Sequence, residues 1–288
     1  MISEIFQQVI NGLAIGGIYC LIALGLTVVF GILGIAHFAH GSFAMFGGYI
    51  IFFFLQKFGM SFFGAMALAM PIGAVLGMFI ERFAYRPVNE APPINAFIIA
   101  LGLTLIFEGA DLMMFGADQI VIPTPYHYVI RFGKIDIPEL RLFVMLTTAA
   151  LIIGMTLLIN RTDTGMAVRA VAQNRPAAIL MGINANKIQL VIFAISSALG
   201  IAAGAFVGAL FAIAPGVGEN LVVKGFAVLI LGGLGSIPGA ILGGLVLGIS
   251  ETLAAGFISS SYKDVIAFLV MISVMLVRPE GLLGRIQK

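Results

Sequence analysis

The 288-residue chain is 61% hydrophobic and only 10% charged, with a formal net charge of +2 and a mean hydropathy of +1.14. This number of apolar side chains cannot be distributed over a water-exposed surface. The composition therefore excludes a soluble globular domain and predicts several transmembrane helices. The 36 glycines favour the same class, since small residues allow helices to approach closely in a membrane. The single cysteine excludes an intramolecular disulfide.

About 20 consecutive apolar residues are needed for a helix to cross the hydrocarbon core. Seven stretches meet this requirement, and they cover residues 6–30, 40–56, 60–80, 94–115, 140–159, 188–213 and 262–277. Residues 222–256 are too long for one crossing and are interrupted by GGLGSIPGA, so we expect two further segments there, one of them short or re-entrant. The sequence therefore predicts one all-α transmembrane domain over residues 1–288, with eight or nine membrane-spanning segments, some of them interrupted.

The interruption at residues 232–239 has two interpretations. Freed backbone groups at membrane depth are tolerated only where protein or a water-filled cavity surrounds them, which favours a position inside the protein. A Gly-Pro sequence is also typical of a tight hairpin at the membrane surface. The sequence leaves both alternatives open.

Basic residues in short loops mark the cytoplasmic side of a membrane protein. With these spans, nine basic residues share one side with the loop at 160–187 and the C-terminus: Arg82, Arg86, Arg161, Arg169, Arg175, Lys187, Arg278, Arg285 and Lys288. Six lie on the opposite side: Lys57, Arg131, Lys134, Arg141, Lys224 and Lys263. We therefore expect the loop and the C-terminus in the cytoplasm and residues 116–139 outside, with an outside N-terminus if there are nine crossings.

Residues 160–187, NRTDTGMAVRAVAQNRPAAILMGINANK, form one polar loop between two apolar stretches. Thr162 and its neighbours can cap one short helix, and Asn174 can cap a second, with Pro176 in its first turn and Gly182 at its end. The second helix is too short to be stable alone in water, so it must pack on something. Its apolar residues exceed what one narrow face needs, which leaves open whether it packs on its own bundle, on lipid or on a partner protein.

Ionisable residues within the apolar stretches are candidates for function. Glu108 and Asp111 lie three residues apart, on one face of a predicted span, where they either line a functional cavity or reach water at the outer surface. Glu251 has the same two interpretations. His37 and His40 flank the break GIAHFAHGS, where helix capping or a polar contact is favoured over metal binding.

The polar loop and the helix after it, TGMAVRAVAQNRPAAILMGINANKIQLVIFAISSALGIAAG, resemble the cytoplasmic loop of ABC importer permeases of the branched-chain amino acid family, the LivH type. The resemblance extends to GLTVVFGILGIAHFAHGSFAMFGGY, ERFAYRPV, ILGGLGSIPGAILGG and FISSSYKDVIAFLVMISVMLVRPEGLLG, in this order along nearly the whole chain. In that family the loop contains a coupling helix that docks in a groove of a cytoplasmic ATPase. The resemblance assigns this role to Arg169, Ala170, Gln173, Asn174, Arg175, Pro176, Ala177, Ala178 and Gly182.

The resemblance also implies the rest of an importer in a bacterial inner membrane. Its parts would be two cytoplasmic ATPase subunits, a second related permease that forms a heterodimer with this chain, and an extracytoplasmic substrate-binding protein. This chain lacks a G-x-x-x-x-G-K-[ST] phosphate-binding loop, so ATP would be used by the partner subunits and no cofactor by the chain itself. The implied substrate is leucine, isoleucine or valine, with another amino acid, an amide or urea as the alternative.

Two glycine-rich breaks, GILGIAHFAHGSFAMFGG and ILGGLGSIPGAILGG, are alike in pattern and suggest a diverged internal repeat. Interrupted segments of transporters often meet at the substrate site, where helix N-termini can receive a carboxylate. We therefore expect His40, Gly41, Ser42, Gly235 and Ser236 to lie near the translocation pathway, together with the two carboxylates of the fourth span.

Two other classes of function compete with an ABC permease. A secondary transporter would share the hydrophobicity and the broken helices but would need no structured docking loop. An intramembrane enzyme would need a convergent nucleophile and base or a metal set, and the three histidines, His37, His40 and His127, carry no H-E-x-x-H signature. We therefore expect a transport protein rather than an enzyme.

Overall fold

The computed structural model describes residues 2–34, 37–89, 91–133 and 135–284. Its helices are α1 Ile2–Leu33, α2 His40–Phe58, α3 Phe62–Ile80, α4 Pro93–Phe115, α5 Glu139–Arg161, α6 Asp163–Gln173, α7 Arg175–Leu180, α8 Ala185–Leu210, α9 Val217–Gly232, α10 Ile237–Phe257 and α11 Lys263–Val277. Two short strands, β1 Val129–Phe132 and β2 Ile135–Pro138, pair as an antiparallel hairpin that the sequence analysis did not predict. Three basic residues used to assign sides of the membrane lie outside the described residues: Lys134, Arg285 and Lys288.

Within the described ranges, eight segments are long and apolar enough to cross a membrane, and they cover residues 2–31, 40–58, 62–88, 93–115, 139–161, 185–210, 237–257 and 260–277. Helix α9 has 16 residues and is therefore about 24 Å long, which is shorter than a hydrocarbon core of about 30 Å. The structure thus confirms the prediction of a polytopic helical protein with eight or nine segments, and α9 is the short one.

Helices α1 and α8 form the centre of the bundle. In their most apolar windows, 83% of α1 and 72% of α8 are buried, compared with 22% for α4 and for α5. Helix α2 runs parallel to α8, since His40 lies beside Ser196 while Gly48 lies beside Gly204. The peripheral helices α4 and α5 are left to face lipid or a partner chain.

Hydrogen bonds fix the relative directions of α1 and α10. The Thr252 hydroxyl donates to the Gln8 carbonyl at 2.9 Å, whereas the Cys20 thiol lies 3.2 Å from the Ile241 carbonyl. The two helices are therefore antiparallel. Glycines on both helices allow their backbones to touch along most of the contact, because an added Cβ would collide with the facing helix.

The ends of the bundle can be told apart from contacts between elements. The side-chain amide of Gln7 donates to the backbone carbonyl of Asp136 at 2.7 Å, which places the start of α1 beside the β-hairpin. We call this end of the bundle the hairpin end. Asn89 after α3 donates to Gln189 near the start of α8 at 2.9 Å, beside the polar loop; we call this the loop end. The N-terminus and the polar loop therefore lie at opposite ends, as expected for nine passes.

The interruption before α10 is a tight turn at the loop end. Gly233 and Gly235 have φ angles of +101° and +77°, and the Ser236 amide donates to the Gly233 carbonyl at 3.1 Å. The Ser236 hydroxyl caps α10 by accepting from the Gly239 amide at 3.1 Å. Leu234 at the tip is 57% exposed. Of the two interpretations that the sequence left open, the structure agrees with a tight hairpin at the surface, because the turn and the cap satisfy the backbone groups there.

Lys224 lies within α9 and not in a surface loop, so it does not belong in the count of basic loop residues. Its ammonium lies 2.7 Å from Glu251 Oε1, 2.8 Å from Asp264 Oδ1 and 2.9 Å from the Tyr19 hydroxyl, between α1, α9, α10 and α11. We call these four residues the Lys224 cluster. Glu251, for which the sequence left two interpretations open, is buried in this cluster as an ion-pair partner. The hydropathy of a sequence shows that a charged residue lies in an apolar stretch, but it does not show which helix supplies the opposite charge.

Candidate functional site

The polar loop folds into the two capped helices that the sequence predicts. The Thr162 hydroxyl accepts from the Gly165 amide at 3.0 Å and caps α6, while the Asn174 side chain accepts from the Ala177 amide at 3.0 Å and caps α7. Gly182 has a φ of +87°, a conformation that glycine adopts without strain, and lies just after the end of α7. The loop is therefore a defined structure and not an open chain.

Helix α6 is fastened to the end of α5. The Arg169 guanidinium donates to the Ile159 carbonyl, ten residues earlier in the chain. Gly165 packs directly on the carbonyls of Leu158 and Ile159, where a Cβ would collide with the α5 backbone. A displacement of α6 is therefore transmitted to α5.

The two loop helices have one inward and one outward face. Val168 and Val171 of α6 and Ala178 of α7 are buried against the bundle. The outward residues at the end of α7 are 51%, 88% and 83% exposed, and we call them the α7 tip: Ile179, Leu180 and Met181. Three adjacent large apolar side chains beyond the membrane-spanning helices are typical of a protein interface.

The nine residues predicted to couple to an ATPase differ in their exposure. Six are exposed: Arg169, Gln173, Asn174, Pro176, Ala177 and Gly182. Ala170 and Arg175 are half-buried, and Ala178 is buried against this chain. The α7 tip extends this exposed surface. Its three residues are among the apolar residues for which the sequence left the packing partner open.

The starts of α2 and α9 touch inside the bundle. Gly41 lies against the Gly218 carbonyl and Val222, and a Cβ at Gly218 would lie 2.7 Å from the Gly41 carbonyl carbon. Only residues without a Cβ allow this contact. The structure thus brings two helix N-termini, each with a partial positive charge, to one buried place.

Two carboxylates of α4 lie beside this contact. The Ser42 hydroxyl donates to Glu108 Oε1 at 3.3 Å. One turn further along α4, Asp111 is only 1% exposed, and its Oδ1 has no hydrogen-bond partner. The hydroxyl of Tyr49, which follows Ser42 by two turns on α2, is also buried without a partner. The predicted pathway residues Ser42, Glu108 and Asp111 are therefore brought together, and Tyr49 is the member that sequence reasoning missed.

Gly235 and Ser236 do not join this group. Gly218 touches Gly41, and Gly232 follows fourteen residues later, about 21 Å along α9. Gly235 instead lines a small cavity of about 80 Å³ at the loop end, which it shares with Gly31 of α1 and with residues of α6. The two glycine-rich breaks therefore meet at Gly31 and Gly235, whereas Gly41 and Ser42 of the first break lie apart from Gly235 and Ser236.

The histidines at the first break make polar contacts, the interpretation that the sequence favoured. His37 Nδ1 lies 2.7 Å from the Tyr85 hydroxyl, and His40 Nδ1 lies 3.5 Å from the Ser196 hydroxyl. All four residues are buried. These contacts tie the start of α2 to α8 and to the end of the third span.

A polytopic bundle with a structured, capped loop at one end and carboxylates within its spans has the architecture of a membrane permease subunit. The family model of the branched-chain amino acid transport system permease component matches residues 8–275. The chain therefore belongs to this family of permeases.

Named relatives agree with this assignment. The chain is 36% identical to the high-affinity branched-chain amino acid transport system permease protein BraD of Pseudomonas aeruginosa, with 99% of this chain and 97% of the relative covered. It is 34% identical to the LivH permease protein of Escherichia coli K12, with 97% and 95% covered. It is 27% identical to the LivM permease protein of Salmonella typhimurium, with 92% and 68% covered. No solved structure matches the chain.

Proposed function

We propose that this chain is the permease subunit of an ATP-binding cassette importer that carries leucine, isoleucine and valine across a bacterial inner membrane. Separate ATPase subunits drive it between outward-facing and inward-facing states. Relatives named for high-affinity branched-chain amino acid transport, aligned over nearly the whole chain, support this substrate class. Other amino acids, amides and urea are the alternative substrates.

One observation carries the proposal, namely the anchored polar loop with its exposed α7 tip. A coupling element must be rigid enough to transmit a displacement and must present a compact surface to the motor. The caps at Thr162 and Asn174 supply rigidity, and the Arg169 contact joins the loop to α5. A secondary transporter has no need for such a surface.

The proposed assembly contains two cytoplasmic ATPases, a second permease and an extracytoplasmic binding protein. The similarity to both LivH and LivM proteins supports a heterodimer of related permeases. We place the loop end and the C-terminus in the cytoplasm, since nine basic residues belong to that side. The opposite side retains five after the buried Lys224 is left out.

Within the bundle, we place the translocation pathway along the start of α2 and the facing side of α4. Its proposed members are His40, Gly41, Ser42, Glu108 and Asp111. Ionisable groups at membrane depth are costly unless they pair or face a cavity, which supports a pathway beside the two carboxylates.

Replacement of one residue at the α7 tip tests the proposal. Leu180→Asp places a charge on the apolar tip, so we expect the tagged chain to insert normally but to lose its ATPase subunits on purification in mild detergent. Val121→Asp is the matched control, since Val121 is an exposed apolar residue near the hairpin end. It should retain the ATPase subunits.

Uptake measurements decide between the alternatives. A Leu180→Asp chain that keeps its ATPase and its leucine uptake would contradict the assigned role of the loop. A purified chain that transports in vesicles without ATP would make a secondary transporter the better explanation. Competition of labelled leucine uptake by unlabelled amino acids, amides and urea identifies the substrate class.

A further inference from the structure

Two buried carboxylates within the spans, Glu81 and Glu251, are each neutralised by a basic side chain. Glu81 is 1% exposed and forms an ion pair with Arg86 at 2.7 Å. Glu251 is 3% exposed and forms an ion pair with Lys224 at 2.7 Å. These pairs meet the general requirement that a charge at membrane depth be paired or face water.

Glu108 and Asp111 break this pattern. Within the described ranges, no lysine or arginine forms an ion pair with either carboxylate. Instead, Glu108 lies within electrostatic range of two like charges, those of Asp111 and Glu219. The two carboxyl groups therefore receive no compensating positive charge from the described part of the chain.

Two buried oxygens at the site also lack hydrogen-bond partners. Asp111 Oδ1 and the Tyr49 hydroxyl are both enclosed between α2 and α4, and the two groups lie within electrostatic range of each other. Leaving a buried polar group unpaired is costly, and the cost is higher for a charged group. Both groups are thus ready to accept a hydrogen bond from a cation that enters between them.

The two carboxylates lie in the part of α4 that is nearer the hairpin end. Helix α4 ends there at Phe115, and Asp111 and Glu108 precede this end by four and seven residues, about 6 and 10 Å along the helix. Ser42 and the contact between α2 and α9 lie beside the deeper carboxylate. A solute that arrives from the hairpin end therefore meets Asp111 first and Glu108 second.

We propose that Glu108 and Asp111, with the hydroxyls of Ser42 and Tyr49, form the subsite that receives the ammonium group of the substrate. The inference rests on the proposed function, since an amino acid supplies this group. An ammonium carries one positive charge and three donors, which match two carboxylates and the neighbouring hydroxyl oxygens. Its arrival brings a positive charge to the two carboxyl groups and supplies donors to the two oxygens that lack a hydrogen-bond partner.

Neutral, nearly isosteric variants of the complete importer test the subsite. Glu108→Gln and Asp111→Asn should each lower leucine uptake into proteoliposomes about tenfold or more, as expected for the loss of a charge-assisted hydrogen bond. Both complexes should retain their ATPase subunits, whereas failure of the proposed function would show as a wild-type chain without ATPase partners. Glu139→Gln removes a carboxylate at the hairpin end, outside the subsite, and should leave uptake unchanged. Wild-type uptake in either subsite variant would overturn the proposal.

A ligand series on the wild-type importer without its binding protein tests the recognised group directly. Leucine and leucinamide, which both keep the ammonium, should raise the melting temperature of the detergent-solubilised complex, whereas 4-methylpentanoate should not. Tyr49→Phe, which removes only a hydroxyl, should reduce the shift. Equal stabilisation by 4-methylpentanoate would overturn the proposal. Stabilisation by Na⁺ alone that Asp111→Asn abolishes would also overturn it, in favour of a metal cation at this site.

Discussion

Replacement of Lys224 by methionine should destabilise the bundle more than replacement of its partner Glu251 by glutamine. After Lys224→Met, Glu251 keeps only the Tyr19 hydroxyl at 2.7 Å and Lys263 at 3.7 Å, and the Lys263 side chain is 42% exposed. Removing one partner of a buried ion pair typically costs about 3–5 kcal/mol, because the remaining charge is left uncompensated. We expect Lys224→Met to fall in this range.

Glu251→Gln leaves a better-compensated charge. Lys224 keeps Asp264 at 2.8 Å and the Tyr19 hydroxyl at 2.9 Å, so its ammonium remains paired. The expected loss of unfolding free energy is then that of one hydrogen bond to a charged group, about 1.5–3 kcal/mol. The order of the two variants follows from Asp264, which is close to Lys224 but gives no support to Glu251.

Unfolding in mixed micelles, followed by circular dichroism across a denaturant series, measures both losses. The double variant Lys224→Met/Glu251→Gln should lose less than the sum of the single variants, since the second change removes the charge that the first left unpaired. Additivity within about 0.5 kcal/mol would refute a direct interaction between the two side chains. A larger loss for Glu251→Gln than for Lys224→Met would refute the argument from Asp264.

Three further changes test other contacts. Gly204→Ala drives a methyl group into the backbone of α2 and should lower the yield of monodisperse protein in detergent, whereas Gly102→Ala, which meets nothing within 4 Å, should leave it unchanged. Asn174→Ala removes the cap of α7 at a cost of about 1 kcal/mol and should weaken retention of the ATPase in a pull-down, while the serine variant should restore it. Tyr85→Phe leaves His37 Nδ1 buried without its partner and should destabilise the protein by about 1–3 kcal/mol in thermal melts.

Much of the fold could be predicted because the membrane imposes length on its helices. Apolar stretches of about 20 residues gave the spans, since a shorter helix would leave polar backbone groups in hydrocarbon. The caps of the polar loop at Thr162 and Asn174 were equally predictable, because a short polar side chain at a helix start satisfies a free backbone amide. Both kinds of prediction depend only on residues close in the chain.

Contacts between distant residues could not be predicted in this way. The spacing of Glu108 and Asp111 identified them as unusual, but only the packing of α2 on α4 brings Tyr49 and Ser42 to them. Lys224 was assigned to the wrong place because its partners come from three other helices. The β-hairpin was missed, and the turn before α10 was left undecided, because hydropathy does not report backbone pairing.

Helix α1 connects the proposed coupling loop with the proposed ammonium subsite. At the loop end it lines the cavity shared with α6, through Thr27, Val28 and Gly31. Nearer the hairpin end, its Tyr19 holds Lys224 of α9, the helix whose start packs on Gly41 beside the proposed ammonium subsite. Because α1 is buried along most of its length and its glycines fit closely against α10, it cannot bend freely to absorb a displacement. A movement of α6 towards α1 therefore either closes the small cavity or moves α1, and α9 moves with α1 as long as Tyr19 holds Lys224.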